Sequence, residues 1–172
     1  MTDVRWLNPA ERRAWLALVS MSTLLPAALD TDLNGRGRLS LFDYNVLAML
    51  SESPGRYLPM SELAARTSAS LSRLSHVVTK LQGRGWVERE QHPQDARVTV
   101  AHLTDEGLAT LERLAPEHVG VVRELVFDAL DEQDVEDLAR IGERIVARLN
   151  DEHWILRENH DLRSPDGEGR HA

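Results

Sequence analysis

Between residues 57 and 104 the sequence places five short segments, each bounded by turn residues, and that spacing leaves few folds open. Tyr57-Leu58-Pro59 is a brief extended piece. A small helix over Met60 to Thr67 turns Leu63 and Ala64 inward, and Ser68-Ala69-Ser70 forms a turn. Ser70 caps a second helix running to about Arg84, and Gly85 ends it in the left-handed region. Trp86 to Gln91 and Arg97 to Leu103 read as two strands, with His92-Pro93-Gln94-Asp95-Ala96 as the hairpin tip. Two short helices across a tight turn, followed by a hairpin, are the parts of a winged helix-turn-helix.

Long helical periods flank this lobe. Asn8 caps a helix that carries Trp15, Leu18, Ser22, Leu25, Leu29 and Leu33 on one face, with a kink expected at Pro26. Ser40 and Asp43 cap residues 41–50, which are apolar nearly all round and predict a buried central helix. Thr104-Asp105-Glu106-Gly107 opens a helix to about Leu130, bent at Pro116. Asp131 caps another, with Val135, Leu138, Gly142, Ile145, Val146 and Leu149 on one side. The expected organisation is mainly α with a two-stranded wing: scaffold helices over 1–56, the winged lobe over 57–104, further helices over 105–157, and a disordered tail over 158–172.

Composition narrows the class of function. No cysteine occurs, so disulfides, thiolate metal sites and thiol catalysis are excluded. The longest apolar stretches are short and interrupted, and no signal segment opens the chain, so a soluble cytoplasmic protein is expected without a membrane partner. The net charge of −8 is unevenly spread: residues 105–172 hold eighteen acidic and eight basic side chains, whereas residues 57–104 hold four and six. Local field matters more to a phosphate backbone than the total does.

The second short helix is the informative one. Leu71, Leu74, Val77, Val78 and Leu81 fall on its inward side. Opposite stand Ser72, His76, Thr79 and Gly83, flanked by Arg73, Ser75, Lys80 and Arg84, with no acid among them. A helix that is merely solvated usually mixes both signs of charge. Against an enzyme, none of the seven histidines forms an H-x-x-x-H or H-E-x-x-H pair, and neither a phosphate loop nor G-x-S-x-G occurs. No cofactor is expected. A metal-responsive regulator using histidines and carboxylates, such as His118 with residues of a second copy, stays open, as does a winged interaction module that binds no DNA.

These segments resemble the multiple antibiotic resistance regulator (MarR) family of transcription factors. The resemblance rests on Met60-Ser61-Glu62-Leu63-Ala64, on Leu81-Gln82-Gly83-Arg84-Gly85-Trp86-Val87-Glu88-Arg89, and on Asp95-Ala96-Arg97 followed by Leu103-Thr104-Asp105-Glu106-Gly107. It covers about residues 10–150. Trp86 departs from the smaller aliphatic common there.

The resemblance implies a homodimer that holds two winged lobes over a pseudo-palindromic duplex operator, acting as a repressor. Arg73 and His76 are expected at base edges, and Ser72 and Thr79 at a base edge or nearby phosphate. Ser70, Ser75, Lys80 and Arg84 are expected at phosphates. The resemblance places Arg97 in the minor groove, with Asp95 orienting it; a local hairpin ion pair is the alternative. It also implies a small effector, often a phenolic or lipophilic anion, in a crevice for whose wall Trp15, Tyr44 and Met49 are candidates, with Arg12 or Arg13 for its charge; ordinary core is the alternative for Trp15 and Tyr44.

Overall fold

The computed structural model describes residues 4–92 and 94–157; the tail expected over 158–172 lies outside the described residues. Local capping explains most element starts. The Asn8 side chain accepts from the amides of Ala10 and Glu11, while Glu11 reaches back to the Asn8 amide, opening α1 (Pro9–Gly37). Ser40 and Asp43 make the same reciprocal box for α2 (Leu41–Ser51). β1 (Tyr57–Pro59), α3 (Met60–Arg66), α4 (Leu71–Gln82), β2 (Val87–His92) and β3 (Asp95–Leu103) follow. Thr104 caps α5 (Asp105–Leu125), and Asp131 caps α6 (Glu132–Leu149).

Three boundaries differ from expectation. Regular α4 geometry stops at Gln82, and the left-handed Gly85 (φ 73°) lies three residues on, after a turn. α5 stops at Leu125 because Val126 leaves helical geometry (φ −126°, ψ −67°), and one 3-10 turn, Phe127–Ala129, precedes Asp131. The hairpin tip is tighter than read, because β3 already begins at Asp95, paired with His92.

The wing is part of a three-stranded antiparallel sheet in the order β1-β3-β2, not a two-stranded one. The extended piece Tyr57-Leu58-Pro59 pairs with His102-Ala101-Val100, and so ties the start of the lobe to its end. Gly107 lets α5 start against this junction: a Cβ there would lie 2.2 Å from the Trp86 carbonyl oxygen.

One core runs through the molecule. α2 sits at its centre, with Val46, Leu47 and Leu50 fully buried against Leu63, Leu74, Val78 and Leu81 of the helix pair, Val87 and Leu103 of the sheet, and Leu111 and Leu114 of α5. The expectation for Leu71 fails: it is 54% exposed, because the first turn of α4 overhangs the core.

α1 corrects the expectation that no long apolar stretch exists. It runs unbroken through Pro26 and contains an 18-residue window of mean hydropathy 1.3, apolar and long enough by those measures to cross a membrane. Its serines and threonines do not interrupt it, since Ser22 and Thr23 donate back to the Val19 carbonyl and Thr31 to that of Ala27. Only Leu29 and Leu33 of α1 are buried. Trp15, Leu18, Met21 and Leu24 are exposed, as are Leu138, Ile141 and Ile145 of α6, which has no buried residue.

Candidate nucleic-acid interface

α4 divides into three stripes, and each has a different neighbour. The outward stripe is Ser72, His76, Thr79 and Gly83, all exposed. At its start Ser70 accepts a hydrogen bond from the Arg73 amide and is spent as the helix cap, though it stays at the surface. No carboxylate lies on α4 itself.

The second stripe faces the scaffold. The Arg73 guanidinium sits 4.2 Å from the centre of the Phe42 ring, over α2. Lys80 donates to Asp43, a carboxylate only 1% exposed. Burial alone would raise the Asp43 carboxyl, but the Lys80 ammonium and the Ser40 amide and hydroxyl outweigh it and hold the group below the ordinary range. Arg84 donates to the Arg38 carbonyl at 2.9 Å and lies 4.8 Å from the centre of the Trp86 ring. Lys80 and Arg84, expected at phosphates, are each engaged with the scaffold here, Lys80 with a buried carboxylate and Arg84 with the carbonyl that ends α1, while the Lys80 side chain stays 42% exposed. Trp86, the departure from the usual aliphatic, is the platform for Arg84.

The third stripe faces the wing, through a residue that the sequence reading passed over. Arg89 of β2 donates through Nη2 to the Ser75 carbonyl at 2.6 Å, to the Ser75 hydroxyl at 3.1 Å and to the Thr79 hydroxyl at 3.1 Å. The signal was present in the strand's two-residue period, which puts Arg89 on the same side as buried Val87 and so beneath α4.

At the wing, Asp95 accepts from the Arg97 amide at 3.0 Å and from its Nε at 3.2 Å, while the Arg97 side chain stays 92% exposed. Those two donors draw the Asp95 carboxyl below its ordinary range. The pair therefore holds an arginine out at the tip of a hairpin. The sheet's other face gathers Glu88, Glu90 and His102, whose ligand atoms lie within 4.8 Å of one another.

Within one chain the residues expected to wall an effector crevice lie apart. Trp15 and Arg12 lie on the exposed N-terminal part of α1, some 14 residues or about 21 Å along the helix from where Leu29 enters the core. Trp15 lines an apolar groove of about 500 Å³ between α1 and α6, with Leu18, Met21, Leu138, Ile141 and Ile145. Tyr44 is buried elsewhere, its ring centre 4.2 Å from that of His118 on α5, and Met49 packs on the core. His118 is buried and kept neutral more readily than usual by desolvation, against an opposing pull from Asp32. It stands with no set of three metal ligands among the described residues.

Comparison with known proteins agrees with this geometry. A model of the MarR family matches residues 39–99. The fold is similar to that of Sco3205, a MarR family transcriptional regulator from Streptomyces coelicolor solved in complex with DNA. The two are 39% identical with a TM-score of 0.82, over 87% of this chain and 94% of that one. It is also similar to AbsC, a MarR family regulator from the same organism, at 38% identity and a TM-score of 0.81 over 87% of this chain and all of that one. Among curated sequences it is 28% identical over 119 residues to the transcriptional repressor YetL of Bacillus subtilis, 69% of this chain and 71% of that protein. Matches to further curated regulators span about half to three fifths of their lengths.

Proposed function

The chain belongs to the MarR family of transcriptional regulators, and from that premise we propose that two copies join through α1 and α6 and bind a pseudo-palindromic operator as a repressor. The observation that carries the DNA reading is the acid-free outward stripe of α4, bordered by Arg73 on the scaffold side and by Arg89 of β2 on the wing side. A helix of this width fits the major groove. Two-fold symmetry then presents the paired helices about 34–36 Å apart, one helical turn of DNA.

Roles follow from placement. Ser72 and His76 stand on the outward stripe and meet base edges. Arg73 joins them from the scaffold side, giving up a stacked position over Phe42 that is worth only about 0.5–1 kcal/mol at an exposed site. Arg97 enters the minor groove at the hairpin tip, where a narrow A·T stretch concentrates negative potential. Lys80 and Arg84 leave the contact set and become struts between α4 and the scaffold.

The dimer reading has its own support. The apolar residues of α1 and α6 form one continuous groove that this chain leaves uncovered, and an exposed patch of that kind marks an interaction site. A second copy covers it with the same residues by symmetry. Trp15 then belongs to the interface, not to an effector wall. For an effector, the junction of α2 and α5 at the buried Tyr44–His118 ring pair is the site we propose, and its imidazole and phenol suit a lipophilic molecule with one polar group.

The test is a salt-titrated binding series on duplexes selected by the protein from a random library. Arg73→Ala should cost about 1–3 kcal/mol and flatten discrimination at one base pair per half-site. Arg97→Ala should cost most where the flanks are A·T-rich. Wild-type binding without base preference, or variants indistinguishable from it, would contradict the assignment.

A further inference from the structure

We propose that Arg89 is a positioning residue for operator specificity: its grip on Ser75 and Thr79 sets the angle between the helix in the major groove and the wing in the minor groove. The inference rests on the operator reading above and adds a role for a residue that touches no base in it.

Arg89 pairs across the ladder with Ala101, which is fully buried, so its side chain rises on the α4 side of the sheet. There Nη2 meets three acceptors on residues one helical turn apart, Ser75 and Thr79. Two N–H bonds shared among three acceptors grip the helix at a defined point and direction. The apolar contacts that also join α4 to the sheet, through Val87 and Leu103, are non-directional and tolerate sliding.

The Thr79 hydroxyl is committed twice over. It donates to the Ser75 carbonyl at 2.9 Å and accepts from Arg89. Its proton is therefore turned into the helix, and reading falls to Ser72, Arg73 and His76. Loss of the Arg89 anchor would free the wing to tilt. From Ala101, opposite Arg89, to Arg97 is four residues of β3, about 13 Å, so a tilt of about 10° moves the Arg97 backbone by about 2 Å. That displacement takes a guanidinium out of hydrogen-bond reach in a groove about 6 Å wide. The base contacts of α4 would be untouched.

The experiment is a double-mutant cycle between Arg89→Lys and Arg97→Ala, read on wild-type-selected duplexes with A·T-rich or G·C-rich flanks. Lysine keeps the charge but ends one atom shorter and lacks the planar, fixed donor geometry of the guanidinium. We expect Arg89→Lys to lose the flank preference and keep the half-site preference. The Arg97→Ala loss should shrink in that background, giving a non-additivity of about threefold to tenfold. Thr79→Val, which removes one acceptor from an exposed position, should weaken flank preference in part, and serves if Arg89→Lys proves unfolded by thermal melting. An additive cycle with flank preference intact in Arg89→Lys and Thr79→Val overturns the proposal. So does an Arg89→Gln variant whose salt slope drops by about one while Arg89→Lys restores it, because that marks a phosphate contact. Wild-type protein that selects no duplex instead fails the functional reading itself.

Discussion

Asp43 shows how a single buried charge redirects its surroundings. It completes the α2 cap with Ser40 and is otherwise surrounded by core, so its charge calls for a cation, and Lys80 supplies one from α4, at the same Oδ2 that accepts from the Ser40 amide. Lys80→Ala leaves that carboxylate without its cation and with the Ser40 cap donors alone. Because the lysine side chain is 42% exposed, water partly replaces it, and we expect a loss of about 1 kcal/mol in urea unfolding. The salt slope of DNA binding should stay at its wild-type value, since the ammonium is committed inward. A slope lowered by about one would return Lys80 to the phosphate contacts. Acid adds a check of sign. A depressed folded-state carboxyl means that the unfolded chain binds the proton first as pH falls below about 4, so the stability from this pair is lost there and is present at neutral pH. In Lys80→Ala that loss should be smaller.

Elements were legible where their causes are local. Asn8, Ser40, Ser70, Thr104 and Asp131 are caps within three residues of the amides they satisfy, and the structure starts a helix after each. The outward stripe of α4 followed from helical period alone. What the sequence hid was non-local. The partner that claims Lys80 lies 37 residues away, and Arg84 meets a carbonyl 46 residues away, so neither direction could be read from α4. β1 is a strand only because β3 returns beside it. Within one chain Trp15 and Tyr44 stand apart because α1 is one continuous helix that reaches the core only in its last turns. The exposed stripe of α6 carries its own prediction. Ile145→Glu puts an unpaired charge into the proposed seam and should raise the dimer dissociation constant by about a hundredfold or more, with helicity by circular dichroism unchanged. An unshifted dissociation constant in sedimentation velocity would remove the seam from α6.

At the scale of the whole molecule, charge and apolar surface are sorted by task. The acid-free helix face and the extended Arg97 belong to the lobe, while the acidic excess lies in the segment that holds α5 and α6. The proposed dimer through α1 and α6 would cover the apolar groove and present two lobes, which would couple binding to assembly: each lobe alone would lose the second half-site. Light scattering of the protein with its selected duplex tests this most directly. The account predicts a free species of about twice 19.4 kDa at low micromolar concentration and a complex with two chains on one duplex. A folded species of 19.4 kDa that binds the same duplex one chain at a time would contradict it.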